Sequence, residues 1–269
     1  MNKILDYGKF LKKLNESLDS DLVGKIDYTL LSPSATETQI LELCEKATKL
    51  GVKSVCVLPK MVRVAAEALK DSPVLVCTVV SFPHGTDDTD DKVIEANRAI
   101  NEGADEVDMV LNYPKLKELV KNLNTEDEEQ DSESALDEMA EDVEPLVTEC
   151  HKHTNKDGDK VTLKVIVESG LLSEKETHEA TYVCLRAGAD FIKTSTGFAS
   201  NKKGAELNKV QIMRKIIDQD GSDMKIKASG GIRTMNDLQN FAPYVDRFGV
   251  GFAAVDSIFS GQEKTEDIY

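Results

Sequence analysis

Ala187-Gly188-Ala189-Asp190-Phe191-Ile192-Lys193-Thr194-Ser195-Thr196-Gly197 reads as a helix end closed by glycine, a short buried strand, and a Ser/Thr/Gly turn. Strands of parallel α/β sheets are covered on both faces and usually run as continuous Val/Ile/Leu. A lysine in such a strand is therefore expected to be buried or inside a pocket, the alternative being a strand-end lysine that snorkels to solvent. Burial changes its chemistry: a desolvated amine loses its proton more easily, and the neutral amine attacks carbonyls to form Schiff bases. A nearly identical junction precedes another strand, with Glu102-Gly103-Ala104-Asp105 leading into Glu106-Val107-Asp108-Met109-Val110-Leu111.

Working outward from these junctions, apolar runs alternate with helical patterns along the chain. Strand candidates lie at 23–31, 54–59, 74–80, 106–111, 162–168, 191–193, 224–229 and 248–253. Helices are expected after Ser34-x-x-Glu37, Ser173-x-x-Glu176 and Thr234-x-x-Asp237, where the spacing matches a capping box, and over 61–70 and 205–218. The acidic run at 86–91 suits a helix N-terminus. This alternation favours a (β/α)8 TIM barrel over a doubly wound sheet. At 269 residues the chain fits one such domain, 1–269. It would carry an N-terminal helix over 1–22, an acidic insert at 124–144 and a flexible tail at 260–269.

Hydrophobic residues make up 40% and charged residues 30% of the chain, ordinary values for a water-soluble fold. No apolar run approaches the length of a membrane span. Cys44, Cys56, Cys77, Cys150 and Cys184 are scattered and form no Cys-x-x-Cys, so neither a disulfide framework nor a zinc knuckle is indicated and a reducing, cytoplasmic setting is expected. The net charge of −16 is concentrated: eleven carboxylates lie between Glu126 and Glu144 with no Lys or Arg among them. Such a block reads as a solvated loop running into a helix, and it argues against nucleic acid as a partner. No metal and no cofactor are expected.

Asp27, Asp108, Lys164, Lys193 and Lys227 interrupt otherwise apolar strands. Isolated charges in five separate apolar environments would each cost several kcal/mol, so the five are expected to share one polar interior. A structural ion-pair cluster would satisfy that expectation without catalysis. The excess of lysines over carboxylates favours catalysis, because it tends to leave one amine destabilised as a cation.

These residues lie in stretches that resemble the deoxyribose-phosphate aldolases: IDYTLL (26–31), SVCVLP (54–59), SFPHG (81–85), EGADEVDMVLNYPKLK (102–117), LKVIVESG (163–170), AGADFIKTSTGF (187–198) and KASGGIRT (227–234). The resemblance implies a class I, metal-independent aldolase on a (β/α)8 barrel, cleaving 2-deoxy-D-ribose 5-phosphate to glyceraldehyde 3-phosphate and acetaldehyde. Lys193 resembles the Schiff-base lysine, Lys227 the second lysine that depresses its pKa, and Asp108 the acid/base aspartate. Asp27, Lys164 and Thr196 match supporting positions, and the terminal Tyr269 resembles the tail tyrosine of some members. Gly197, Gly230, Gly231, Gly249 and Gly251 are the candidate phosphate-binding positions, with backbone N–H groups free to approach an anion. The chain departs from the family after the eighth strand, where Gly249-Val250-Gly251-Phe252 replaces a serine-containing run. The alternative reading is a divergent aldolase-like protein with weak or no activity on the phosphorylated sugar that serves as a binding or scaffold protein. A homodimer, and a protein partner at the acidic insert, are further expectations.

Overall fold

A computed structural model describes residues 20–122, 136–199, 201 and 203–260. Eight strands, all paired in parallel with their sequence neighbours, close into a barrel when β8 pairs with β1. They are β1 (Ile26–Leu30), β2 (Ser54–Val57), β3 (Leu75–Val80), β4 (Glu106–Val110), β5 (Thr162–Ile166), β6 (Phe191–Lys193), β7 (Lys225–Ser229) and β8 (Arg247–Gly251). A short helix α1 (Ser20–Val23) precedes β1, and the ring around the barrel comprises α2 (Glu37–Leu50), α3 (Val62–Ala68), α4 (Thr89–Asn101), α5 (Tyr113–Asn122), α6 (Glu144–His151), α7 (Glu174–Arg186), α8 (Leu207–Asp220), α9 (Met235–Phe241) and α10 (Phe252–Ser260). The expected (β/α)8 architecture is the observed one.

Local signals set most helix starts. Ser173 and Thr234 cap α7 and α9 through reciprocal bonds with Glu176 and Asp237, as their spacing predicts. For α2 the box is formed by Thr36 and Gln39, two residues beyond the expected Ser34 and Glu37. Ser34 is instead tied into the preceding turn by Ser32 Oγ, 2.9 Å away. The helix expected over 61–70 opens with a tight turn at Pro59–Met61 and is α-helical only over Val62–Ala68. The helix expected over 205–218 is shifted to Leu207–Asp220 and ends on left-handed Gly221. The largest consequence is at the C-terminal end: β8 begins at Arg247, one residue before the expected start, and Phe252 and Ala253 are helical.

The core lies between barrel and helices. Ile40, Leu43 and Ala47 of α2, Ala180 and Val183 of α7, and Val210, Met213 and Ile217 of α8 are all buried against outward-facing strand residues such as Val55, Val107 and Ile226. Helical and strand periodicities thus meet in one apolar layer. Part of the acidic insert belongs to this layer rather than to solvent. Met139, Ala140 and Val143 are buried, and Asp142 accepts from the fully buried Lys92 of α4 at 2.6 Å. The rest of the insert, most of the N-terminal helix expected over 1–22, and the tail with Tyr269 fall outside the described residues.

Candidate active site

Side chains alternate along a strand, and in a closed barrel every second residue points inward. Asp27 on β1, Glu106 and Asp108 on β4, Lys164 on β5, Lys193 on β6, Lys227 on β7 and Arg247 on β8 all carry inward-facing, buried side chains. The five interior charges read from the sequence are brought together. Glu106 and Arg247 join them, each being the first residue of its strand.

The arrangement is a closed ring of alternating charge. Arg247 donates to Asp27 Oδ1 through Nε at 2.9 Å and to Glu106 through both terminal nitrogens at 3.1 and 2.9 Å. Lys164 Nζ bridges Glu106 Oε2 and Asp108 Oδ1, 2.9 Å from each. Lys227 Nζ bridges Asp108 Oδ2 at 2.7 Å and Asp27 Oδ2 at 2.5 Å, which closes the circuit. Three cations and three carboxylates therefore neutralise one another. Lys193 stands outside the ring, donating to Asp108 Oδ2 at 2.7 Å from the last position of β6, and the buried Glu168 carboxylate also feels its charge.

Electrostatics of the ring follow from this pairing. Burial alone would raise the pKa of Asp108, but Lys164, Lys193 and Lys227 outweigh it and hold the carboxyl well below its ordinary range. Asp27 is lowered in the same way, burial being outweighed by Arg247, Lys227 and Lys164, as is Glu106 by Lys164 and Arg247. Lys164 and Lys227, which burial would lower, are raised by Asp108 together with the other carboxylates they face. The ring is thus ionised throughout the neutral range.

Above Lys193 the β6 turn is fastened to β5. Glu168 takes a left-handed backbone conformation with φ of 51°, uncommon for a residue with a Cβ. Its Oε2 accepts from the backbone N–H of Thr196 at 3.1 Å and from the Thr196 hydroxyl. Thr196 is therefore held in place three residues beyond the end of the lysine strand. Burial pushes the Glu168 carboxyl up, with the Thr196 hydrogen bonds opposing it.

Three comparisons bear on this geometry. The sequence profile described as the DeoC/LacD family aldolase matches residues 25–245. The deoxyribose-phosphate aldolase of Staphylococcus carnosus is 39% identical over 249 residues, covering 92% of this chain and 99% of that protein; that of Mycoplasmoides pirum is 44% identical over 209 residues, covering 78% and 83%. A solved structure of the tetrameric deoxyribose phosphate aldolase from Aeropyrum pernix has a TM-score of 0.73 at 26% identity, covering 94% of this chain and 96% of that one. The chain belongs to the DeoC/LacD aldolase family.

Gly197 follows β6, Gly230 and Gly231 follow β7, and Gly249 and Gly251 lie on β8. Gly230 and Gly231 both have φ of 77°, the left-handed region that favours glycine. A Cβ on Gly204 would stand 2.0 Å from the Gly230 carbonyl oxygen, so the loop after β6 crosses directly over the β7 turn. A Cβ on Gly249 would stand 2.8 Å from the Ser229 Cβ and 3.4 Å from the Lys227 Cε; bare backbone there makes room for the lysine. Phe252 is stacked on Tyr28 with ring centroids 5.5 Å apart, and Lys46 of α2 lies over its ring. Lys203, in the loop after β6, is exposed and pairs with Glu206 at 3.3 Å; Lys202 lies outside the described residues.

Glu106, Arg247 and Glu168 escaped the sequence reading. For Glu106 and Arg247 a signal existed: each lies two residues before an inward-facing position, Asp108 or Gly249, and shares its face. Nothing in the local sequence marks Glu168 as left-handed.

Proposed function

We propose that this aldolase cleaves 2-deoxy-D-ribose 5-phosphate to glyceraldehyde 3-phosphate and acetaldehyde through a Schiff base on Lys193. The observation that carries the reading is the closed, neutral charge ring with the Lys193 amine outside it, its Nζ 2.7 Å from Asp108 Oδ2. The neutral amine adds to the C1 aldehyde, and loss of water gives a protonated imine. That imine draws the electron pair of the C2–C3 bond as the C3 hydroxyl gives up its proton, which releases glyceraldehyde 3-phosphate. Protonation of the remaining enamine and hydrolysis return acetaldehyde and the amine. Asp108, within hydrogen-bond reach of the Lys193 nitrogen, and Lys227, on the same carboxylate oxygen, are the groups positioned to shuttle these protons. Asp27, Lys164 and Thr196 act through them: the first two hold Lys227 and Asp108, and Thr196 orients the turn after Lys193.

Borohydride reduction in the presence of acetaldehyde, read by intact-chain and peptide mass spectrometry, should leave one ethyl group on Lys193. An adduct elsewhere, or none, overturns the assignment. Replacing Lys227 with leucine removes a cation that faces the same oxygen as Lys193, and the acid limb of the pH–rate profile should move to higher pH. An unchanged limb would make Lys227 purely structural.

The substrate's phosphate is proposed to bind at the turn after β7 and the start of α10, where backbone N–H groups and the helix dipole favour an anion. Hydrogen bonds to a charged group contribute roughly 1.5–3 kcal/mol each. Without the family's serine hydroxyls, the preference for the phosphorylated over the free sugar should therefore be about tenfold or more below that of a serine-containing relative. Lys203 is the candidate for partial compensation. The comparison is kcat/KM for both sugars on this protein and on Phe252→Ser; a strong native preference, unimproved by the serine, would show that the backbone carries the site unaided. The homo-oligomer, supported by the tetrameric Aeropyrum relative, is to be read by light scattering. Cytoplasmic location and a protein partner for the acidic insert complete the proposal.

A further inference from the structure

Opposite the lysines, the barrel interior carries two thiols. Cys56 of β2 and Cys77 of β3 are direct register partners on adjacent parallel strands, and both are fully buried. The Cys77 Sγ donates to Asp108 Oδ1 at 3.1 Å, and Lys164 Nζ donates to the Cys77 sulfur at 3.5 Å. The two sulfurs and a carboxylate oxygen of Asp108 all lie within 4.8 Å of one another. Leu31, Val79, Leu58 and Phe82 pack around the pair and keep bulk water from it. The other cysteines are separate: Cys44, Cys150 and Cys184 sit in three different helices.

The geometry points to a binding site for a thiophilic divalent cation, Zn²⁺ or Cd²⁺, held by Cys56 Sγ, Cys77 Sγ and Asp108 and excluding catalysis while it is bound. Sulfur and oxygen on one zinc ion, at about 2.3 and 2.0 Å, stand roughly 3.5 Å apart in tetrahedral geometry. A few tenths of an ångström of movement from the present 3.1 Å contact meet that requirement. Three protein ligands leave the fourth position to water, as in open zinc sites.

Charge is the main objection, since lysines crowd Asp108, and the stoichiometry answers it. With the thiols protonated, the ring and Lys193 hold four cations (Lys164, Lys193, Lys227 and Arg247) against three carboxylates (Asp27, Glu106 and Asp108), and the buried Glu168 carboxylate lies beside Lys193. Each cation bound displaces two thiol protons to solvent, so the sum is unchanged when a divalent ion enters. Burial, Cys56 and Asp108 hold the Cys77 thiol protonated, well above its ordinary range, with Lys164 opposing them, so the metal itself must displace that proton. The bound ion occupies Asp108 Oδ1 and displaces the Lys164 hydrogen bond, so inhibition rests on the acid–base role proposed for Asp108, whereas binding does not.

Titration of the purified chain with Co²⁺, a spectroscopic stand-in for zinc, should produce a near-ultraviolet thiolate-to-cobalt charge-transfer band that Zn²⁺ abolishes. Zn²⁺ calorimetry in buffers of different ionisation enthalpy should show about two protons released per ion. Cys56→Ala and Cys77→Ala should each lose the band, and each should keep its own rate at zinc concentrations that inhibit the wild type reversibly to chelator. Absence of the band in the wild type, or its persistence in both variants, overturns the site, and the wild-type spectrum decides even if a variant misfolds. A band without inhibition leaves the site standing and overturns the role of Asp108.

Discussion

Lys193→Ala is expected to abolish borohydride trapping of acetaldehyde and to lower kcat/KM on the sugar phosphate by on the order of 10⁴-fold or more, the scale on which removal of a covalent nucleophile acts. The chemistry leaves no substitute. Lys164 and Lys227 are each held as ammonium between two carboxylates of the ring, so neither presents a free neutral amine to a carbonyl. The fold should survive, because Asp108 keeps Lys164 and Lys227 and the neutral ring stays intact. Lys193→Arg separates charge from chemistry: it retains a cation beside Asp108 but offers no nucleophilic amine, and it should be as inactive as the alanine variant. Wild-type turnover in either variant, or an ethyl adduct on another lysine in both, would defeat the Schiff-base assignment.

Arg247→Met is expected to destabilise the protein by about 3–5 kcal/mol at neutral pH, the range found when one member of a buried ion pair is removed. Arg247 joins Asp27 to Glu106; without it two buried carboxylates face one another across the bottom of the ring. Methionine fills a similar length of space, so lost packing contributes little. The pH dependence distinguishes this electrostatic loss from a packing defect. Asp27, Glu106 and Asp108 have depressed folded-state pKa values, so their stabilisation is present above the unfolded-state values near about pH 4 and is lost as pH falls below them. Lys164 and Lys227 are raised; their contribution is complete below the unfolded value of about 10.4 and is lost only as pH rises through the higher folded values. The ring's contribution should therefore be flat from roughly pH 5 to 9 and fall in acid. Urea midpoints of wild type and Arg247→Met should differ most on that plateau and converge below about pH 4. A neutral-pH difference under about 1 kcal/mol, or one that ignores acid, would mean that water screens the ring.

The relation between sequence and site is clearest at particular residues. The inward positions of Asp27, Asp108, Lys164, Lys193 and Lys227 were legible because strand periodicity is local: a charged residue in an otherwise apolar run must face something polar, and five of them imply one interior. The barrel itself was legible from the alternation of such runs with capped helices, and Ser173 and Thr234 mark their helix starts by spacing alone. Short-range physics decides all of these, and the sequence by itself determined them.

The partners were not legible. Arg247 meets Asp27 because β8 closes on β1, a contact across 220 positions of chain, and the stagger of the closed barrel selects which charges meet. In sequence, Arg247 follows Asp246 and looks like a solvated turn residue before the apolar run from Phe248; only closure reveals it as the cation that completes the ring. The proximity of Cys56 and Cys77 likewise depends on the register between β2 and β3. Counting interior charges indicated an excess of lysine, but which lysine is the odd one could be settled only by the pairing. Tertiary structure neutralises Lys164 and Lys227 within the ring and leaves Lys193 outside it, because attraction between charges acts through space and sequence order carries no record of those distances.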